Sequence, residues 1–190
     1  MDKLVVEPTA ISLWQRLVKD AAATSKCNLD DELESYLVFL LMRNTDRPDI
    51  TNSVLALEYL QSMLADGLQR TEQLREVGDK CLLYSGLFPE RAYQKQVRIN
   101  YFIEIGQASY QQTAETLKRG YAQMYQRLSE YFVMLMDVLQ AIRDMGREYC
   151  LDTLTLHELS SECGSSRAKN ILSSEQNILS INFRNHRKNK

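Results

Sequence analysis

The chain has 190 residues with a formal net charge of -2, 44% apolar residues and 25% charged ones. That suits a soluble globular protein with one sizeable core, and by charge alone it disfavours a nucleic-acid binder. Seven glycines and three prolines are too few for many tight turns, so long helices are expected rather than many short strands.

A first helix is predicted from near Pro8, carrying Leu13, Trp14, Leu17, Val18 and Ala21 at helical spacing. A second starts after a cap at Asn28, with Asp30, Asp31 and Glu32 at its positive end. Leu33, Tyr36, Leu37, Leu40 and Leu41 form its main face, and Pro48 ends the segment. The run Tyr36 to Met42 is the longest apolar stretch, far short of the roughly 20 residues needed to span a membrane.

Asp49 or Thr51 can cap a third helix with the stripe Val54, Leu57, Leu60 and Leu64. After an interruption at "LADGLQ", a fourth helix is expected to end near Phe88, because Pro89 cannot continue it. Gly86 is read as a bend or stop. "RAYQKQV" reads as an irregular link. A fifth helix follows with Ile99, Ile103, Gly106, Tyr110, Thr113 and Leu117, and Gly120 is read as a break. The sixth is expected to be one long helix, with Tyr121, Met124, Leu128, Tyr131, Leu135, Val138, Ile142 and Met145 in steps of three and four.

The fold class expected is therefore all-α: a single-domain bundle of about six helices over residues 1–150. A loosely attached extension follows over 151–190. Within it "LDTLTLHELSSEC" reads as a short helix, "GSSRAKN" as a loop, and "ILSINF" as a short strand or docked tail. The basic end, with Arg184, Arg187, Lys188 and Lys190, reads as disordered. Its charge could touch phosphates, but no helix-turn-helix or aromatic reading surface accompanies it, so a solvated tail is preferred.

Small residues at helical spacing mark the fourth helix: Gly67, Thr71, Gly78, Cys81 and Ser85, with Leu74 among them. A glycine inside a helix costs about 1 kcal/mol relative to alanine. Close packing is the simplest reason to keep Gly78 and Gly106, so the two are expected to mark a close helix crossing.

Asp79 and Glu104 fall on the flanks of these stripes, near Tyr84 and Tyr101. If the flanks face each other, the four could form a carboxylate–tyrosine pocket able to do acid–base chemistry. The plainer reading is that both acids are solvated, or bond Arg and Tyr neighbours. Asp137 projects opposite Leu135 and Val138, so it is expected to face solvent. Val133, Met134 and Met136 beside it leave an apolar outer strip, a candidate protein interface.

Catalytic and cofactor signatures are missing. The cysteines Cys27, Cys81, Cys150 and Cys163 have no metal-ligand spacing, and His157 and His186 sit in no ligand motif, so neither metal nor cofactor is expected. No P-loop, dinucleotide-binding glycine motif or nucleophile elbow occurs. With no export signal, a cytoplasmic, membrane-free protein with reduced thiols is expected.

The segments "GDKCLLYSGLFPERAY" and "INYFIEIGQASYQQTA" resemble an uncharacterised family of bacterial all-helical proteins. The residues that carry the resemblance are Gly78, Asp79, Gly86, Leu87, Phe88, Pro89, Glu90, Tyr101, Phe102, Gly106 and Tyr110, in the middle third of the chain. It implies a bacterial cytoplasmic protein and adds weight to the two-helix crossing, but it implies no activity. The leading functional expectation is thus a non-enzymatic module acting through a protein partner or self-association. The alternatives are a small-molecule or enzymatic pocket at Asp79, Tyr84, Tyr101 and Glu104, and nucleic-acid association through the basic tail.

Overall fold

The structure, a computed structural model, describes residues 9–45, 54–90, 97–145 and 151–174. These are all-helical, with no strand among them. Helix α1 spans Ala10–Thr24, α2 Asp31–Asn44, α3 Leu55–Leu64, α4 Gly67–Leu87 and α5 Ile99–Thr116. Helix α6 spans Arg119–Glu130, α7 Phe132–Met145 and α8 Thr153–Ser161, and residues 166–174 form a further helix, α9. That is more than the six helices expected. No described helix is long and apolar enough to cross a membrane.

Local chemistry explains the starts and stops. Thr9 caps α1 by accepting from the Ser12 amide. Asp30, not Asn28, caps α2: its Oδ1 accepts from the Glu32 and Leu33 amides at 3.0 Å each. The α3–α4 interruption falls at Ala65 and Asp66, and α4 opens on Gly67 with φ +58°, a left-handed conformation that glycine adopts without strain. Gly86 does not stop α4. It lies inside the helix, where Leu139 of α7 presses so close that a Cβ would fall 2.5 Å from the leucine Cβ. The expected caps Asp49 and Thr51, the link at 91–96 and the basic tail all lie outside the described residues.

Helix α4 is the centre of the assembly, packing against α3, α5 and α7, while α1 packs on α2 and α7. Val18, Leu37, Leu40, Leu74, Leu82, Leu135 and Leu139 are wholly buried between these elements. The extension after residue 150 is less loose than expected. Leu156 and Leu159 of α8 are wholly buried, and Ser165 and Ala168 are nearly so. The "GSSRAKN" segment is not a loop beyond Ser165, because it opens α9.

Asp137 is what holds that opening turn. Contrary to the expectation of a solvent-facing acid, it is 1% exposed. Ser165 Oγ donates to its Oδ1 at 2.6 Å and the Arg167 amide to its Oδ2 at 3.1 Å. A carboxylate from α7 thereby satisfies the open amides of another helix and complements its dipole. A helical projection could not show this, because the partner arrives from 28 residues downstream. The same packing fills the apolar strip predicted beside it: Met136 is wholly buried, and Val133 and Met134 are half-buried against the core. That strip is covered by the chain itself, with α1 packed on α7.

The long sixth helix is in fact two, α6 and α7, divided at Tyr131. Neither proline nor glycine stands there. Instead the Gln107 side chain of α5 donates to the Ser129 carbonyl at 3.3 Å, and Ser129 Oγ donates back to the Gln107 carbonyl at 2.9 Å. A side chain inserted into the hydrogen-bond ladder is a known cause of such a bend. Gly120 is not the break between α5 and α6, which falls at Leu117 and Lys118.

Candidate functional site

The sequence places Tyr36, Phe39 and Arg43 at i, i+3 and i+7, one face of α2, and Arg75 and Asp79 at i and i+4 on α4. Packing of α2, α4, α5 and α6 brings these two faces together with Tyr110 and Tyr125. Asp79 is 7% exposed. Its Oδ1 accepts from the Tyr110 hydroxyl at 2.8 Å and from the Tyr36 hydroxyl, and its Oδ2 lies 3.3 Å from Arg43 Nη2. Arg75 adds a second guanidinium near the carboxylate and meets the Tyr125 hydroxyl. The tyrosine rings pack edge-on or tilted, with the Tyr36–Tyr110, Tyr36–Tyr125 and Tyr110–Tyr125 centroids 6.2, 6.3 and 6.1 Å apart.

Burial pushes the Asp79 carboxyl above its ordinary value, against the Tyr36 and Tyr110 hydroxyls and the Arg43 and Arg75 guanidiniums that pull it down. Burial, then the Asp79 charge, holds the Tyr36 and Tyr110 phenols well above theirs. Asp137 is likewise raised by burial, against Ser165 and the amides of α9. A carboxyl raised on folding binds more protons in the native than in the unfolded state. Its contribution to stability is full below the ordinary value of 3.8 and is lost as pH rises through the raised one. Urea midpoints measured from about pH 4 to about pH 8 should therefore fall with pH in this respect, and Asp79→Asn should flatten part of that slope. A slope identical in parent and Asp79→Asn would refute the assignment.

Above this network α2, α4 and α6 leave a groove of about 460 Å³ lined by Glu32, Ser35, Tyr36, Phe39, Arg43, Arg75, Met124 and Tyr125. Phe39 is 53% exposed along it.

The four residues read as one pocket do not share a site. Asp79 and Tyr84 are buried, and the Tyr84 ring packs on Phe102 at 4.6 Å. Tyr101 is 38% exposed, and Glu104 faces solvent, accepting from Asn100 Nδ2 at 2.8 Å. The real partners of Asp79 are further along α5, at Tyr110, and on α2, at Tyr36. Tyr36 could be counted as part of an apolar face, but its hydroxyl partner could not be named from spacing alone.

Gly78 and Gly106 both lie in the contact of α4 with its neighbours. A Cβ on Gly78 would fall 2.6 Å from the Tyr110 ring, and one on Gly106 would fall 2.5 Å from Phe132 Cζ and 2.9 Å from Cys81 Cβ. The space at Gly78 is what lets the Tyr110 ring pass over α4 and reach Asp79 in the next residue.

No protein-family model, curated protein or solved structure matches the chain. The site is therefore read from its own chemistry. Among the described residues no group of three or more His, Cys, Asp or Glu gathers where it could hold a metal. Burial pushes the Cys27 thiol up to about 11 and Cys163 up to about 12, and Cys81 is raised by the same cause, so these thiols are poor nucleophiles.

A second surface stands out on α3. Glu58 bonds Lys80 of α4 at 2.8 Å, and Leu55 and Ser62 turn inward. That rotation sends the stripe predicted as core outward: Val54, Leu57, Leu60 and Leu64 are exposed, as is Leu68 at the start of α4, Leu64 by 86%.

Proposed function

We propose that this protein is a non-enzymatic helical module that acts through protein contact, made by the outer face of α3. One observation carries the reading: Leu57, Leu60 and Leu64, more than half exposed, stand at helical spacing on one side of a helix whose other side is already packed. Apolar faces of that kind, rimmed by polar residues, mark interaction sites. Self-association is the simplest form, since the same face on two copies is complementary to itself. A cytoplasmic setting belongs to the same reading, with Cys27, Cys81 and Cys163 as free thiols.

Sedimentation velocity on the full chain tests it. The parent should form a species larger than a monomer at micromolar concentration, and Leu60→Glu with Leu64→Glu should return it to monomer without lowering its melting temperature. Both side chains already face water, so the fold loses little. A strictly monomeric parent, unchanged by the pair of substitutions, would overturn the proposal.

A further inference from the structure

The groove beside Asp79 has more hydrogen-bond donors than the protein supplies acceptors for. Asp79 is the shared acceptor: Oδ1 already serves the Tyr36 and Tyr110 hydroxyls, leaving Oδ2 to Arg43. Glu32, also in the lining, is engaged from outside by Arg127 Nη1 at 3.0 Å. Arg75 also lines the groove: its guanidinium meets the Tyr125 hydroxyl, and its Nε, though closed off from solvent, has no acceptor among the described residues, so its positive charge is met by no carboxylate bond. The Arg43 side chain is 44% exposed, so part of its fork opens to the groove. Each guanidinium carries five donors and no acceptor, and its planar fork matches carboxylate, sulfonate or phosphate oxygens.

The remaining lining is of a different kind. Phe39, Met124, Tyr36 and Tyr125 contribute aromatic rings and a flexible thioether, groups that accept a flat apolar body. A volume of about 460 Å³ lies in the range of small-molecule sites, about 300–1,000 Å³.

We infer that the groove between α2, α4 and α6 binds an amphipathic organic anion, its acidic head on Arg43 and Arg75 and its flat apolar body against Phe39, Met124 and Tyr125. Asp79 has a positioning role here. From below, it holds Arg43 and the Tyr36 ring in place through Oδ2 and Oδ1, and the Arg43 and Arg75 guanidiniums stand between its charge and the groove as counter-charges. The half-exposed head contact makes binding sensitive to salt.

The test uses the folded full chain and two fluorescent probes: anilinonaphthalene sulfonate, and N-phenyl-1-naphthylamine, which has the same rings without the charge. The sulfonate should bind saturably at one site, at least tenfold more tightly than the neutral probe. Arg43→Met keeps an apolar stem and removes the fork. It should weaken the sulfonate roughly tenfold and leave the neutral probe unchanged, as expected for losing one charged hydrogen-bonding group. Phe39→Ala, at an exposed position that the core does not need, should weaken both probes. Leu60→Glu with Leu64→Glu should weaken neither, which separates this groove from the apolar face of α3. The inference is overturned if the parent shows no saturable sulfonate binding, if the two probes bind equally, if Phe39→Ala leaves both unchanged, or if the α3 substitutions abolish the signal.

Discussion

Asp79→Ala is expected to destabilise the protein by about 3–5 kcal/mol, the range for removing one partner from a buried, hydrogen-bonded charge network. The substitution takes the shared acceptor from the buried Tyr110 phenol and the half-buried Tyr36 phenol, and the counter-charge from Arg43, whose exposed fork keeps its contact with water. Tyr36 sits on α2, Asp79 on α4 and Tyr110 on α5, so a single carboxylate ties three helices together. Tyr110 is wholly buried, so its hydroxyl cannot turn to water and is left with the neighbouring Tyr36 hydroxyl in place of a carboxylate. Tyr36→Phe and Tyr110→Phe should each cost less, about 1–2 kcal/mol, because Asp79 keeps its other partners. The three losses should not add, since the groups share one acceptor. Urea unfolding followed by circular dichroism measures all of them, with the slope m checked for constancy. If Asp79→Ala unfolds within about 1 kcal/mol of the parent, the network is not what joins these helices.

Gly106→Leu should be at least as damaging. A Cβ alone would collide with the Phe132 ring at 2.5 Å and with Cys81 Cβ at 2.9 Å. Cys81 Cβ is fixed to the α4 backbone and cannot move without shifting that helix, and the Phe132 ring is wholly buried, so any turn it makes must displace packed neighbours. Overpacking a dense interior costs about 1–3 kcal/mol for modest insertions, and a whole leucine exceeds that. The expected result is a chain that is unfolded or at least about 3 kcal/mol less stable. Gly106→Ala should show a smaller loss that Phe132→Leu partly relieves, because the clash is with the far edge of that ring. The contrast is Gly120→Ala. It lies in the first turn of α6 with nothing within 4 Å of an added methyl, so it should stabilise by about 0.4–1 kcal/mol through the unfolded chain. Equal melting temperatures for Gly106→Leu and the parent would mean that α4, α5 and α7 do not meet as described.

Much of the local architecture was legible because its causes are local. The acids at Asp30, Asp31 and Glu32 marked the start of α2, although Asp30 and not Asn28 is the cap, and the interruption read at "LADGLQ" falls at Ala65 and Asp66. The all-helical class follows from scarce glycine and proline together with apolar steps of three and four. Expectation and structure part company where the deciding partner is distant in sequence. The α3 leucines and the Val133, Met134 and Met136 strip are alike in being apolar, yet one is exposed and the other covered. Spacing shows that a face is apolar but not whether another helix lies on it. Here α3 sets Leu55, Ser62 and the Glu58–Lys80 pair against α4 and leaves its leucines outside, and α1 lies on α7.

The same limit governs the charged residues. By itself the sequence determined that both acids lie on helices, Asp79 on the flank of an apolar stripe and Asp137 opposite one. Only the tertiary structure decided that both are buried, one under Tyr36 and Tyr110 and the other at the start of α9. The physical reason is that burying a carboxylate is costly unless several donors converge on it, and those donors come from segments 31, 43 and 28 residues away. Helix periodicity is written in neighbours a few residues apart, whereas the satisfaction of a buried charge is settled by which helices the fold sets side by side.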